Sequence, residues 1–141
     1  MPRILVPIDG SDCSLRALKE AVRMAQYDDA SEVHLLNVQI PIVSGHARLF
    51  LDKDEVQSYY RSEGKTALDR AVPEPERAGV KYTLETRVGQ SGETIADYAD
   101  EKRCDHIVMG TRGLGEVAGL LLGSVARKVI HLSSVPVTLV K

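Results

Sequence analysis

Apolar residues along the chain follow two alternating patterns, and that alternation sets the expected fold class. Ile4-Leu5-Val6-Pro7-Ile8 is an almost continuous apolar run that ends at Asp9-Gly10-Ser11. Such runs fit a strand covered on both faces, as parallel sheets require. The period then changes: Leu15, Leu18, Ala21, Val22 and Ala25 follow helical spacing, with Ser11 or Ser14 placed to cap the helix. Val33 to Val38 predicts a second strand, interrupted by the polar His34 and Asn37. Pro41 to Phe50 predicts a loop and Asp52 to Val72 a helix, which Pro73 and Pro75 should end or kink, because proline lacks an amide donor and clashes with the preceding turn.

The second half repeats the alternation. Val80, Tyr82, Leu84, Thr86 and Val88 predict a strand, and Gly89-Gln90-Ser91-Gly92 turns the chain. Ser91 is the expected cap of a helix with Ile95, Ala96 and Ala99 on one face and Glu93 near its positive end. His106 to Met109 predicts a buried strand, followed by a glycine-rich loop and a helix with Val125, Ala126, Val129 and Ile130 turned inward. Pro136 to Val140 predicts the last strand. Strict β-α alternation, five strands with four helices, predicts an α/β fold with a doubly wound parallel sheet.

Composition narrows the functional classes. A chain of 141 residues with 43% hydrophobic residues is expected to form one domain, residues 1–141, with its own core. A formal net charge of −2 offers no basic excess for a phosphate backbone, so nucleic acid is not an expected partner. Cys13 and Cys104 have no partner at metal-ligand spacing. Met1 to Ile8 already reads as a strand and lacks the features of a signal peptide. No apolar stretch approaches the roughly 20 residues that span a bilayer, so no membrane insertion and a cytoplasmic location are expected.

In open parallel sheets, ligands bind beyond the carboxyl ends of strands where the strand order reverses. Attention therefore falls on Asp9-Gly10-Ser11 after the first strand and on Gly110-Thr111-Arg112-Gly113 after the fourth. Gly110, Gly113 and Gly123-Ser124 form the pattern G-x2-G-x9-G-[ST]. Glycines let backbone amides approach phosphate oxygens and adopt positive φ where needed. Gly123-Ser124 opens a helix, whose free amides and dipole favour an anion, and the Ser124 hydroxyl adds a donor. Taken singly, Asp9 is more often a turn or capping residue and Arg112 more often a solvated charge, while Met109 reads equally as core.

With that spacing complete, the chain resembles the ATP-binding type of universal stress protein, from Val6-Pro7-Ile8-Asp9-Gly10-Ser11 to Val135-Pro136-Val137. The resemblance implies strand order 3-2-1-4-5 with helices on both faces, which sets Asp9 beside Gly110. It implies that Asp9 holds the ribose hydroxyls, that the Val38 backbone meets the adenine, and that Met109 and Gly110 line the nucleoside, with Pro7 also among the nucleotide-binding residues. Arg112, Gly113, Gly123, Ser124 and Val125 would hold the phosphates of ATP, with Mg²⁺ or Mn²⁺. A homodimer through the C-terminal strand is also implied: Val137, Leu139 and Val140 form an edge without an internal charge.

Other chemistries find less support. Gly113-Leu114-Gly115-Glu116-Val117-Ala118 matches the dinucleotide fingerprint, but Ser133-Ser134-Val135 stands where its acidic residue belongs. No G-x4-G-K-[ST] occurs, Asp9 is the sole strand-end acid, the four histidines lack ligand spacing, and Ser124 has no evident base. The leading expectation is a regulatory module that binds an adenine nucleotide. Its alternatives are a slow ATPase or phosphotransferase using the same pocket, and a partner-binding module without nucleotide.

Overall fold

The computed structural model describes residues 2–42, 52–114, 119 and 121–141. Five strands, β1 (Arg3–Pro7), β2 (Glu32–Gln39), β3 (Lys81–Val88), β4 (His106–Gly110) and β5 (Val137–Val140), form one parallel sheet in the order β3-β2-β1-β4-β5. The helices are α1 (Asp12–Ala25), α2 (Lys53–Ala71), α3 (Pro73–Ala78), α4 (Ser91–Glu101) and α5 (Ser124–Leu132).

Side chains alternate across the central strands, and each set packs beneath its own helices. Ile4, Val6, Val33, Leu35 and Val108 pack against Ala17, Leu18 and Val22 of α1 and Ala67, Leu68 and Ala71 of α2. Leu5, Leu36, Ile107 and Met109 face the opposite way, against Ile95, Tyr98 and Ala99 of α4 and Ala126 and Val129 of α5. The sheet is thus doubly wound, as expected. Among the described residues, no helix is long and apolar enough to cross a membrane.

Of the two serines placed to cap α1, Ser11 does so: its hydroxyl accepts from the Ser14 amide at 3.1 Å. Asp52 caps α2 in the same way, accepting from the Glu55 amide at 2.8 Å. Pro73 breaks the helix and then starts another, occupying the first position of α3, where a missing amide costs nothing. Among the described residues, five helices therefore stand where four were expected. Gly79 ends α3 at φ 68°, a left-handed conformation that glycine adopts without strain.

Three local expectations need correction. Ser91 is the first residue of α4 rather than its cap; Gln90 holds the cap position and makes no side-chain bond there. Ile130 is 47% exposed, because Ala126 and Val129 alone occupy the buried stripe of α5. Val80 precedes β3, its amide donating to the Pro75 carbonyl at 3.0 Å, and the alternation it begins is incompletely covered, with Leu84 and Val88 exposed on the edge. Of the loop expected from Pro41 to Phe50, residues 43–50 lie outside the described residues.

Gly64 shows how closely α2 approaches the edge strand. A Cβ at this position would lie 2.4 Å from Thr86 Oγ1 and 2.8 Å from its Cγ2. Gly64→Val should cost about 1–3 kcal/mol through this overlap. In a Thr86→Ala background the same change should cost about 1 kcal/mol less, a coupling readable from urea unfolding of the double-mutant cycle.

Candidate functional site

β1 and β4 lie side by side at the centre of the sheet, yet the helices that follow them pack on opposite faces. The loops leaving the two strands therefore diverge, and a cleft opens between them above the carboxyl ends. Its walls include Pro7, Ile8 and Asp9 from the end of β1, Leu36 and Val38 from β2, and Met109 to Gly113 from the end of β4. Ser91 and Ile95 of α4 and Gly123, Val125 and Ala126 at the start of α5 complete it, with Ser14 on the α1 side. About 560 Å³ of space lies between these walls, counted to the open mouth.

Nine of the ten residues singled out from the sequence line this cleft: Pro7, Asp9, Val38, Met109, Gly110, Arg112, Gly113, Gly123 and Val125. Ser124 opens α5 as expected, but its residue is exposed and stands outside the lining. Four wall positions, Ser14, Leu36, Ser91 and Ile95, lie outside the segments that carry the motif. Their periodic placement on α1, β2 and α4 could have suggested burial, but not proximity to the glycine loop.

Asp9 links the two sides of the cleft. Its Oδ1 accepts from the Ser11 amide at 2.9 Å and its Oδ2 from the Leu114 amide at 3.1 Å. Gly10 turns the first loop at φ 88°, and Arg70 of α2 donates to the Gly10 carbonyl and pairs with Asp12. The loop that presents Asp9 is therefore held from below as well as from across the cleft.

Positive φ does not explain the motif glycines. Among the described residues of the second loop it occurs at Gly119, at 90°, while Gly123 is extended at φ −74° and ψ 167°. Crowding explains two of them. A Cβ on Gly113 would lie 2.5 Å from Asp9 Oδ2, and one on Gly110 would lie 2.7 Å from Cys13 Sγ. Gly110 thus lets α1 sit close to β4, and Gly113 lets Asp9 reach Leu114.

The start of α5 is a set of donors. Gly123 donates to the Thr111 carbonyl at 2.7 Å, which folds the second loop back over the end of β4. Gly123 at the cap position has no side chain to bond the first turn, whose amides have no partner within a helix. The lining residues Val125 and Ala126 lie in that turn. Amides, the guanidinium of Arg112 and apolar side chains from β2, β4 and α4 together suit an anion joined to a flat apolar group.

The model of the universal stress protein family matches residues 1–141. The chain belongs to that family. It is 36% identical over 140 residues to universal stress protein MJ0531 of Methanocaldococcus jannaschii, covering 99% of this chain and 81% of that one. Among solved structures it resembles MJ0577 of the same organism, with a TM-score of 0.86 and 31% identity over 99% of this chain and 95% of that one. It also resembles the Archaeoglobus fulgidus universal stress protein in complex with dAMP, with a TM-score of 0.70 and 26% identity over 100% of this chain and 98% of that one.

The link through Asp9 can be tested without any ligand. Asp9→Ala should destabilise the protein by about 1–3 kcal/mol, since two amides lose a charged acceptor. Hydrogen exchange should accelerate at Leu114 and Ser11. Gly113→Ala should accelerate exchange at Leu114 alone, because the added Cβ displaces one carboxylate oxygen. Unchanged exchange at Leu114 in both variants would contradict the link.

Proposed function

We propose that the cleft binds an adenine nucleotide, with ATP as the ligand, and that the protein acts as a regulatory module whose conformation or assembly responds to it. The observation that carries this reading is the convergence of Asp9, Val38, Gly110, Gly113 and the uncapped start of α5 on one cleft. The dAMP held by the Archaeoglobus fulgidus relative supports the adenine assignment. In this reading Val38 presents its backbone to the base, Pro7 and Met109 flank the nucleoside, and Asp9 meets the sugar. Arg112, Gly113 and the first turn of α5, including Ser124, receive the phosphates. No group of three His, Cys, Asp or Glu among the described residues is placed to hold a metal. Mg²⁺ or Mn²⁺ would accordingly enter with the phosphate oxygens that ligate it.

Calorimetry on purified protein should show ATP binding, with ATP preferred over GTP by about tenfold or more. Gly123→Val should abolish binding by crowding the phosphate end while the fold is kept, as circular dichroism would show. Binding unchanged by this substitution would move the site elsewhere.

Assembly as a homodimer belongs to the same proposal, and it is supported by the position of β5 at the sheet edge. Pro136 and Val140 carbonyls accept from Ile107 and Thr111 at 3.0 and 2.9 Å. By alternation, the backbone groups of Val137 and Leu139 point away from β4, toward the open edge. Unpaired edges of this kind are normally covered, charged or paired. Light scattering should give twice the 15.4 kDa of one chain. Leu139→Pro, which removes an outward donor and spares the bonds to β4, should return a monomer. A wild-type mass near that of one chain would refute the dimer.

A further inference from the structure

Asn37 is buried in β2 and has no part in the roles described so far. Its side-chain Nδ2 donates to the Ile8 carbonyl at 2.8 Å, and its Oδ1 accepts from Gln39 Nε2 at 2.7 Å. A carbonyl can only accept, so the Ile8 contact fixes which end of the amide faces it.

The place of this bond gives it meaning. The paired register of β1 and β2 ends at Pro7 and Leu36, and the Ile8 amide then donates to the Leu36 carbonyl at 2.8 Å. Continuing the ladder would bring the Val38 amide to the Ile8 carbonyl, since Val38 presents its backbone to the same side as Leu36. Asn37 occupies that carbonyl instead. We propose that Asn37 is a positioning residue: it ends the ladder at Ile8 and so keeps the Val38 backbone available to read the base in the cleft.

The same bond fixes the carbonyl immediately before Asp9, so one side chain sets both Val38 and the start of the Asp9 loop. Without the Nδ2 donor, the buried Ile8 carbonyl would lack a partner, and the Val38 amide is the donor that the strand geometry offers it. Val38 would then be drawn into the ladder and lost to a ligand. This inference rests on the nucleotide reading above and adds how selectivity for the base is maintained.

Two variants test it. Asn37→Leu suits the apolar surroundings, and Asn37→Asp keeps the shape and the acceptor for Gln39 while removing the donor. Each should weaken ATP about tenfold and bring ATP and GTP to within about threefold of each other. Inorganic tripolyphosphate, which carries no base, should bind as it does to the wild type. A purely structural role would lower the urea midpoint and leave the ATP-to-GTP ratio intact, which would overturn the proposal. Should both variants fail to fold, hydrogen exchange on the wild type decides. Without ligand the Val38 amide should exchange much faster than that of Leu36, and ATP should slow it. Equal protection of the two amides would overturn the role of Asn37 even if ATP binds. A wild type that binds no adenine nucleotide would overturn the proposed function, and this inference with it.

Discussion

Two loops more than a hundred residues apart in sequence meet through one carboxylate. Asp9 accepts amides from both, Ser11 on its own side and Leu114 on the other. The sheet brings the loops near each other by placing β1 beside β4, but α1 and α5 then leave on opposite faces and pull them apart. The Asp9 bonds oppose that divergence at the mouth of the cleft. They require a residue without a side chain at Gly113, and they require the first loop to keep its turn, which Gly10 permits at positive φ and Arg70 braces. Charged acceptors make hydrogen bonds roughly twice as strong as neutral ones. An asparagine here would change both strength and pattern.

Much of the fold was legible because its central strands are covered on both faces. Such strands must be apolar almost throughout, so β1, β2 and β4 stand out as runs whose observed limits differ from the predicted ones by a residue or so. Features decided by a contact with a distant segment were less legible. Local preference favours Ser91 over Gln90 as the cap of α4, yet Gln90 holds that position. The spacing of Ile130 does not show that α5 covers the sheet with a stripe only two small residues wide. Proline at 73 was visible as a break, but its compatibility with a first helical turn also allowed a new helix to start.

The cleft was legible in position, and the part its glycines play was less so. The glycine spacing located the second loop, and the rule for parallel sheets located the first. Yet Gly113 is explained in this structure by Asp9 and Gly110 by Cys13, neither of which local spacing can reveal. Asn37 carried no signal either. In a strand it registers only as a polar interruption, and its partner is the Ile8 carbonyl, 29 positions earlier.

The character of the walls bears on what a bound nucleotide would undergo. Phosphoryl transfer is accelerated only by contacts that strengthen as charge moves in the transition state. The donors in this cleft include backbone amides at a helix start and the Arg112 guanidinium, groups that can hold phosphates in the ground state. Asp9, the acid best placed to orient a nucleophile, already accepts one amide on each oxygen, and taking up a proton as a base would weaken the charged acceptor that both bonds use. Weakening those bonds would also loosen the loop that completes the cleft. Catalysis by Asp9 and integrity of the site are therefore in competition, and in the proposed reading that competition weighs toward holding a nucleotide rather than consuming it.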